Sequence, residues 1–382
     1  MVKIKHKILR HKSSFKLPVW AVSILAACIV LLSFNIELKG NFALETAYIG
    51  LLTAVPECAI YRMNEIKAEI KKYFTVNETP DFMQKSGTFN DAEYTDDLTA
   101  TPSDITENSK IYSNDSYTYD GEVIEKTYTD HQATNSFGNV HVRNVTDSQS
   151  IDIEALLNKK FTIPADDISK PLVLIYHTHS TESYMYDFNG RFSTENPARN
   201  NNNSLNMIRI GEEITKILRS NGIGVIHDKT VYDTVYTGAY SLSRTGAEKI
   251  LEENPSIIIT LDIHRDAIYY SDTQRVKPTV EINVEKAAQI MIIAGCQDGN
   301  VTDFPGWETN LLFALNLQKA ANDKYKNLMK PVYFCMRKYN MDLTPYSLLI
   351  EIGTDVNTLQ EAAYSARLLG DVLSDMIKEC VK

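Results

Sequence analysis

Three aliphatic runs punctuate the second half of the chain, and each ends in groups able to bind a metal or move a proton. Leu172-Val173-Leu174-Ile175-Tyr176 leads into His177-Thr178-His179-Ser180-Thr181-Glu182, and Ile257-Ile258-Ile259-Thr260-Leu261 leads into Asp262-Ile263-His264-Arg265-Asp266. Leu348-Leu349-Ile350 leads into Glu351-Ile352-Gly353. Runs apolar on both faces predict strands buried from both sides. Between them the period changes to that of a helix over residues 204–220, where Leu205, Ile208, Ile214, Ile217 and Leu218 recur, Ser204 can cap the start and Gly222 can end it. Further helices are predicted over 241–253, 310–328 and 358–377 (with Asn357 as cap), and a short one begins at Ile153. Asn139 to Val145 alternates like a short strand, residues 225–226 and 332–336 read as strands, and 280–284 with 289–293 as a strand pair. Strands alternating with helices predict an α/β fold, a mostly parallel sheet with helices on both faces.

The first third of the chain follows other patterns. Residues 1–16 are basic, with Lys3, Lys5, Lys7, Arg10, Lys12 and Lys16 and no acid. Residues 17–36 carry no charge, about the length that crosses a hydrocarbon core. The pattern predicts a cytoplasmic basic segment (1–16) and a retained single-pass signal anchor (17–37), with the remainder outside the cell membrane. A helical juxtamembrane stalk is expected over 38–74, and an acidic, disordered linker over 75–137, where Asp, Glu, Thr, Ser and Asn replace aliphatic residues. A catalytic domain is expected over 138–382.

The strand ends raise the question of chemistry. Ligand-binding groups of α/β enzymes sit at the carboxyl ends of strands. Of only eight histidines, three stand just beyond the long aliphatic runs. Catalytic zinc commonly takes three protein ligands, His2Glu among them, and keeps a fourth position for water. A tight turn in His179-x-x-Glu182 puts both side chains on one side, His264 can close the set, and Glu351 can take a proton from the water. His177 and His179 remain alternatives for the first ligand. The order resembles that of zinc carboxypeptidases. Arg265 is the candidate to orient a substrate carboxylate, with an ion pair to Asp262 or Asp266 as its alternative. Asp262 can hold the imidazole of His264 from behind, and Tyr184 and Asn340 are candidate substrate contacts.

The wording of these segments, together with Gly222-Ile223-Gly224-Val225-Ile226-His227-Asp228 and Asn357-Thr358-Leu359-Gln360-Glu361-Ala362, resembles the stage II sporulation protein P family. The resemblance runs from about Gly138 onward. It implies an amidase-like fold and a membrane-anchored cell-wall hydrolase with Zn2+, cutting the amide between N-acetylmuramic acid and L-Ala of the stem peptide in peptidoglycan. Cleavage of peptide cross-links is implied as well. It implies a role in septal wall degradation during engulfment, with stage II sporulation proteins D and M as partners. General amidases take their carboxylate ligand from a Glu just before the helix after the first strand, where this chain has Arg199-Asn200-Asn201-Asn202-Asn203. The carboxylate is therefore expected from Glu182, with Glu195 as the other candidate, and alignment with the amidase pattern favours His179 over His177. A zinc carboxypeptidase or endopeptidase confined to stem peptides is the alternative enzyme. A wall-binding scaffold with a degenerate site is the non-enzymatic alternative.

Composition adds limits. The net charge of −10 excludes a nucleic-acid footprint. The five cysteines have no metal-like spacing; a Cys296–Cys335 bridge competes with burial as small apolar side chains, the preferred reading.

Overall fold

The computed structural model describes residues 118–194, 198–234 and 236–381. The elements in chain order are β1 (Gly121–Lys126), β2 (Asn135–Phe137), β3 (Val140–Asn144), α1 (Ile153–Leu157), β4 (Pro171–Tyr176), β5 (Arg191–Phe192), α2 (Met207–Ser220) and β6 (Gly224–His227). They continue with α3 (Ala239–Glu253), β7 (Ile259–Asp266), β8 (Tyr269–Ser271), β9 (Gln274–Ile282), β10 (Glu285–Ala288), β11 (Ile290–Gly295), α4 (Trp307–Lys324), β12 (Val332–Cys335), β13 (Tyr346–Thr354) and α5 (Leu359–Cys380).

An eight-stranded sheet runs β2-β3-β12-β11-β13-β7-β4-β6. Alternation along β4 sends Val173 and Ile175 to one face and Leu174 and Tyr176 to the other, and both sets are buried. The first face packs against α2, α4 and α5. The second meets Ala247 of α3 and Ile257. Helices therefore cover both faces, as the continuous aliphatic runs require.

The expected mostly parallel sheet is corrected by the pairing. A second, five-stranded sheet follows the order β10-β9-β1-β5, with β8 on β9. Six strand pairings are parallel and five antiparallel among the described residues, so the fold is a mixed α/β one. One turn accounts for much of this. β9 and β10 form a hairpin in which Ile282 pairs Glu285, and the two turn residues Asn283 and Val284 have φ of 50° and 65°. Positive φ at both positions matches the twist of a tight hairpin. The returning strand passes through Gln289 straight into β11, which thus enters the large sheet antiparallel to β13. Residues 280–284 and 289–293 therefore belong to different sheets and do not pair with each other. Gln289 is the joint: its side chain accepts from Tyr128 N (2.6 Å) and donates to Tyr128 O (2.7 Å) and Asn327 O (2.8 Å).

Other expectations shift. β1 and β2 lie within the stretch read as linker. Asn206, not Ser204, caps α2 by accepting from Ile208 N at 2.9 Å, while Ser204 donates to Asn202. Thr358, not Asn357, caps α5, in a reciprocal box with Glu361. Cys296 and Cys335 are free and buried, as small apolar side chains. Among the described residues no helix is long and apolar enough to cross a membrane. The basic segment 1–16, the apolar segment 17–37 and the stalk 38–74 lie outside the described residues.

Helices α2 and α5 cross at Gly370. A Cβ there would stand 2.9 Å from Ile217 Cβ and 3.3 Å from Ile214 O, tighter than packed side chains tolerate. Gly370→Val is expected to lower the free energy of unfolding by about 1–3 kcal/mol. Urea denaturation checks it, and an unchanged midpoint would contradict this crossing.

Candidate active site

The carboxyl ends of β4, β7 and β13 lie side by side, because β7 pairs in parallel with both neighbours. In that register Tyr176 is opposite Asp262, and Glu351 is opposite His264. Directly opposed residues on one sheet face are close enough to interact. Chain segments far apart in sequence thus deliver His264 and Glu351 as immediate neighbours.

Asp262 organises the group from beneath. Its carboxylate accepts from Thr178 N (2.9 Å) and Thr178 Oγ1 (2.6 Å), tying the chain leaving β4 to β7. Its Oδ1 lies 2.8 Å from His264 Nε2, though out of line for a hydrogen bond. Burial alone would push the His264 imidazole down, but the charge of Asp262, with Glu351 and Glu182 behind it, raises it to about 9.

His179 and Glu182 come back over His264. Glu182 N donates to His179 O at 3.1 Å, the tight turn that places the two side chains together. The rings of His179 and His264 are 5.4 Å apart and perpendicular. Glu182 Oε2 stands 3.9 Å from His264 Nδ1. Burial, then the charges of His264 and Arg199, lower His179 to about 4, so its ring is neutral at physiological pH. Glu351 is lifted to about 8, first by burial.

His177 goes elsewhere. Its Nδ1–H donates to Ile263 O (2.9 Å), and its Nε2 accepts from His227 Nε2 (2.9 Å), whose Nδ1 lies 3.3 Å from Glu212. Gly211 leaves room for that pair: a Cβ there would come within 2.5 Å of both Nε2 atoms. Both nitrogens of His177 are spent in the wall, which leaves His179 the better placed of the two.

Arg265 also departs from expectation. It donates from Nε to Ser183 O (2.6 Å) and from Nη2 to Ala198 O (2.7 Å), so it clamps two loop segments and does not pair with Asp262. Tyr184 is buried with its hydroxyl on Ile352 O, and Asn340 donates to Tyr240 O and Ser243; neither faces a substrate space. Glu195 lies outside the described residues.

Several groups at this site escaped the sequence reading. Asp233 accepts from Ser180 Oγ (3.0 Å) and Thr181 Oγ1 (2.6 Å) and pairs with Arg199, fixing the backbone between His179 and Glu182. Tyr236 stacks on His179 with centroids 4.6 Å apart and planes within 3°. Tyr240 meets the edge of His179 at 5.6 Å and lies parallel to His264 at 6.2 Å. They sit in a loop and a helix start with no motif, so only spatial proximity marks them.

His179 Nδ1, Glu182 Oε2, His264 Nε2 and Glu351 Oε2 are four of the five buried side-chain polar atoms without a hydrogen-bond partner among the described residues. Orphaned buried polar atoms cost free energy and call for an explanation. With the Nε2 side of His264 against Asp262, its Nδ1 is the nitrogen on the Glu182 side, 3.9 Å from Oε2. Together with His179 Nδ1 and Glu182 Oε2 it makes up two imidazoles and a carboxylate, a zinc donor set by type. Among the described residues no three such groups already surround one point at ligand distance, so a cation requires side-chain rotation to close the set. The residues fit the metal by donor type and by their unsatisfied atoms.

A family model described as stage II sporulation protein P (SpoIIP) matches residues 66–374. Stage II sporulation protein P of Bacillus subtilis (strain 168) is 30% identical over 225 residues, 56% of this chain and 53% of that protein. The chain thus spans about half the length of this curated relative. Among solved structures, the N-acetylmuramoyl-L-alanine amidase AmiC2 of Nostoc punctiforme aligns at 12% identity over 55% of this chain and 96% of that one, with a TM-score of 0.34. The Ami1 amidase from Mycobacterium smegmatis aligns at 8% over 56% and 100%, also at 0.34. The CwlD amidase from Clostridioides difficile, in complex with the GerS lipoprotein, aligns at 13% over 55% and 97%, at 0.31.

Burial raises the Glu351 carboxyl from 4.5 to about 8. A folded value above the unfolded one means that the folded chain holds the proton through that window, so its contribution to stability is lost as pH rises toward 8. Glu351→Gln removes the titration. In chelator-treated protein, its melting temperature relative to the unsubstituted chain should rise between pH 6 and pH 9. A difference independent of pH would mean that Glu351 is not a buried acid.

Proposed function

The chain belongs to the stage II sporulation protein P family, and from that premise we propose that it is a peptidoglycan hydrolase cleaving the amide between N-acetylmuramic acid and L-Ala of the stem peptide. The observation that carries the hydrolytic reading is that His179, Glu182, His264 and Glu351, on or just beyond the adjoining ends of β4, β7 and β13, each keep a buried side-chain atom without a hydrogen-bond partner among the described residues. The choice of amide rests on the family resemblance of the motifs.

His179, Glu182 and His264 would hold zinc. When bound, zinc would supply a Lewis acid that polarises the amide carbonyl and makes a water acidic enough to attack near neutral pH. Glu351 accepts the proton of the attacking water and delivers it to the amide nitrogen as the C–N bond breaks. Burial brings its pKa from 4.5 up to about 8, near neutral pH, where one carboxyl can both take a proton and hand it on. Asp262 lies against the Nε2 side of His264 and favours its charge, and Thr178 keeps Asp262 in place. The tether to the cell membrane through residues 17–37, an extracytoplasmic site and association with stage II sporulation proteins D and M belong to the same proposal; sequence and resemblance support them.

Digestion of purified peptidoglycan, read by mass spectrometry, tests this function. Released stem peptides beginning at L-Ala are expected, and a chelator should stop the release until zinc is restored. Shortened stems on intact muramyl-peptide bonds would make the protein a peptidase, and wall binding without products would make it a scaffold. Glu351→Gln is expected to slow release by about 10²–10⁴-fold, the range for loss of a general acid–base group, while wall binding persists. An equal rate would remove Glu351 from the chemistry.

A further inference from the structure

One cation at the site is only half used. The guanidinium of Arg199 is held along one edge: its Nη1 donates to Thr181 Oγ1 (2.9 Å) and pairs with Asp233. Asp233 has no exposed side-chain surface, so this is an anchored pair with one buried partner. The other edge is open. Nη2 lies 3.8 Å from Glu182 Oε1, beyond hydrogen-bond reach, and neither Nη2 nor Nε has a hydrogen-bond partner among the described residues. The Arg199 side chain is 37% exposed.

The surroundings tie this edge to the reacting centre. Arg199 Cζ is 5.3 Å from the centroid of Tyr236, and Tyr236 stacks on His179. Tyr236 is 66% exposed, a large ring surface beside an orphaned imidazole. Arg199 thus touches Glu182 on one side and the ring covering His179 on another. Arg265, by contrast, has its donors turned to backbone carbonyls.

A planar guanidinium with one edge fixed and one edge free is suited to bidentate capture of a carboxylate. In a muramyl peptide the lactyl carboxyl is consumed in the scissile amide, so the remaining carboxylates lie on the peptide that leaves. We propose that Arg199 is a specificity-determining residue that binds a carboxylate of the stem peptide beside the scissile bond, with Tyr236 flanking the bound peptide. This rests on the hydrolase reading above. Arg199 positions the leaving peptide and takes no proton.

The test uses two synthetic muramyl peptides, identical except that the peptide carboxylates are free in one and carboxamides in the other. The zinc-loaded full chain is compared with Arg199→Gln and Arg199→Lys. The unsubstituted chain should prefer the free carboxylates. Arg199→Gln should raise KM and lower kcat/KM by about 10–100-fold on that substrate, the effect of losing a hydrogen-bonded ion partner, and change cleavage of the carboxamide by less than about threefold. Arg199→Lys keeps a charge beside Asp233 without the fork, so it should fold, cleave the carboxamide normally and still lose preference for the free carboxylates. Equal losses on both substrates would show a merely structural role through Asp233 and overturn the proposal, as would no loss on either. Binding of both peptides to Glu351→Gln, measured by calorimetry, should show the same preference without turnover. If the unsubstituted chain cleaves neither lactyl amide, the hydrolase reading falls, whereas equal cleavage of both overturns the Arg199 proposal alone.

Discussion

Asp262 is the group on which the site depends. It is 1% exposed, and a carboxylate so buried is stable only when its lone pairs are filled. Thr178 supplies both donors, and in doing so fixes the direction in which the chain leaves β4. His179 and Glu182 follow within four residues, so the same two bonds determine where the candidate ligands return over β7. The negative charge also keeps the His264 imidazole protonatable in a place that burial would otherwise make apolar. One acid therefore connects two strands, orients one imidazole and sets the course of the loop that carries another.

Much of this arrangement was legible in the chain. Aliphatic runs ending in His, Glu or Asp located the strand ends, because a strand buried on both faces must be continuously apolar and must release its polar residues where it stops. The alternation of strand and helix also gave the layering. Strand direction was not legible. The run from Ile290 to Gly295 is equally apolar whether it lies parallel or antiparallel to β13, and what decides the matter is the two-residue turn at Asn283 and Val284, neither of them glycine. The local residue pattern likewise left His177 and His179 as alternatives, and only the family resemblance favoured His179. That choice depends on His227 and on the space left by Gly211, fifty and thirty-four positions beyond His177.

Arg265 and Arg199 show the limit from the other side. Arg265 adjoins His264 in sequence, so adjacency suggested a substrate role; strand alternation turns it away, and it holds the carbonyls of Ser183 and Ala198. Arg199 lies in an asparagine-rich stretch that reads as featureless, yet the bridges Glu182↔Arg199 and Ser183↔Asn206 lay that stretch against the ligand segment. Sequence neighbours share a strand, not necessarily a face, and residues from a loop acquire chemistry only through pairings that no local pattern announces.

The mouth of the site is therefore built by a loop held from two directions. Glu182 is not on a strand, and a loop carboxylate alone would be too free to present a fixed ligand. Arg265 fastens the backbone just after Glu182, while Asp233 fastens Ser180 and Thr181 just before it and brings Arg199 alongside. Of the charged groups that fix the loop, Asp233 and Arg265 are buried, and Arg199 alone keeps exposed side-chain surface, beside Glu182. Fixing this candidate ligand in such a way places a guanidinium beside it, so the interactions that hold Glu182 in place also set the charge next to it.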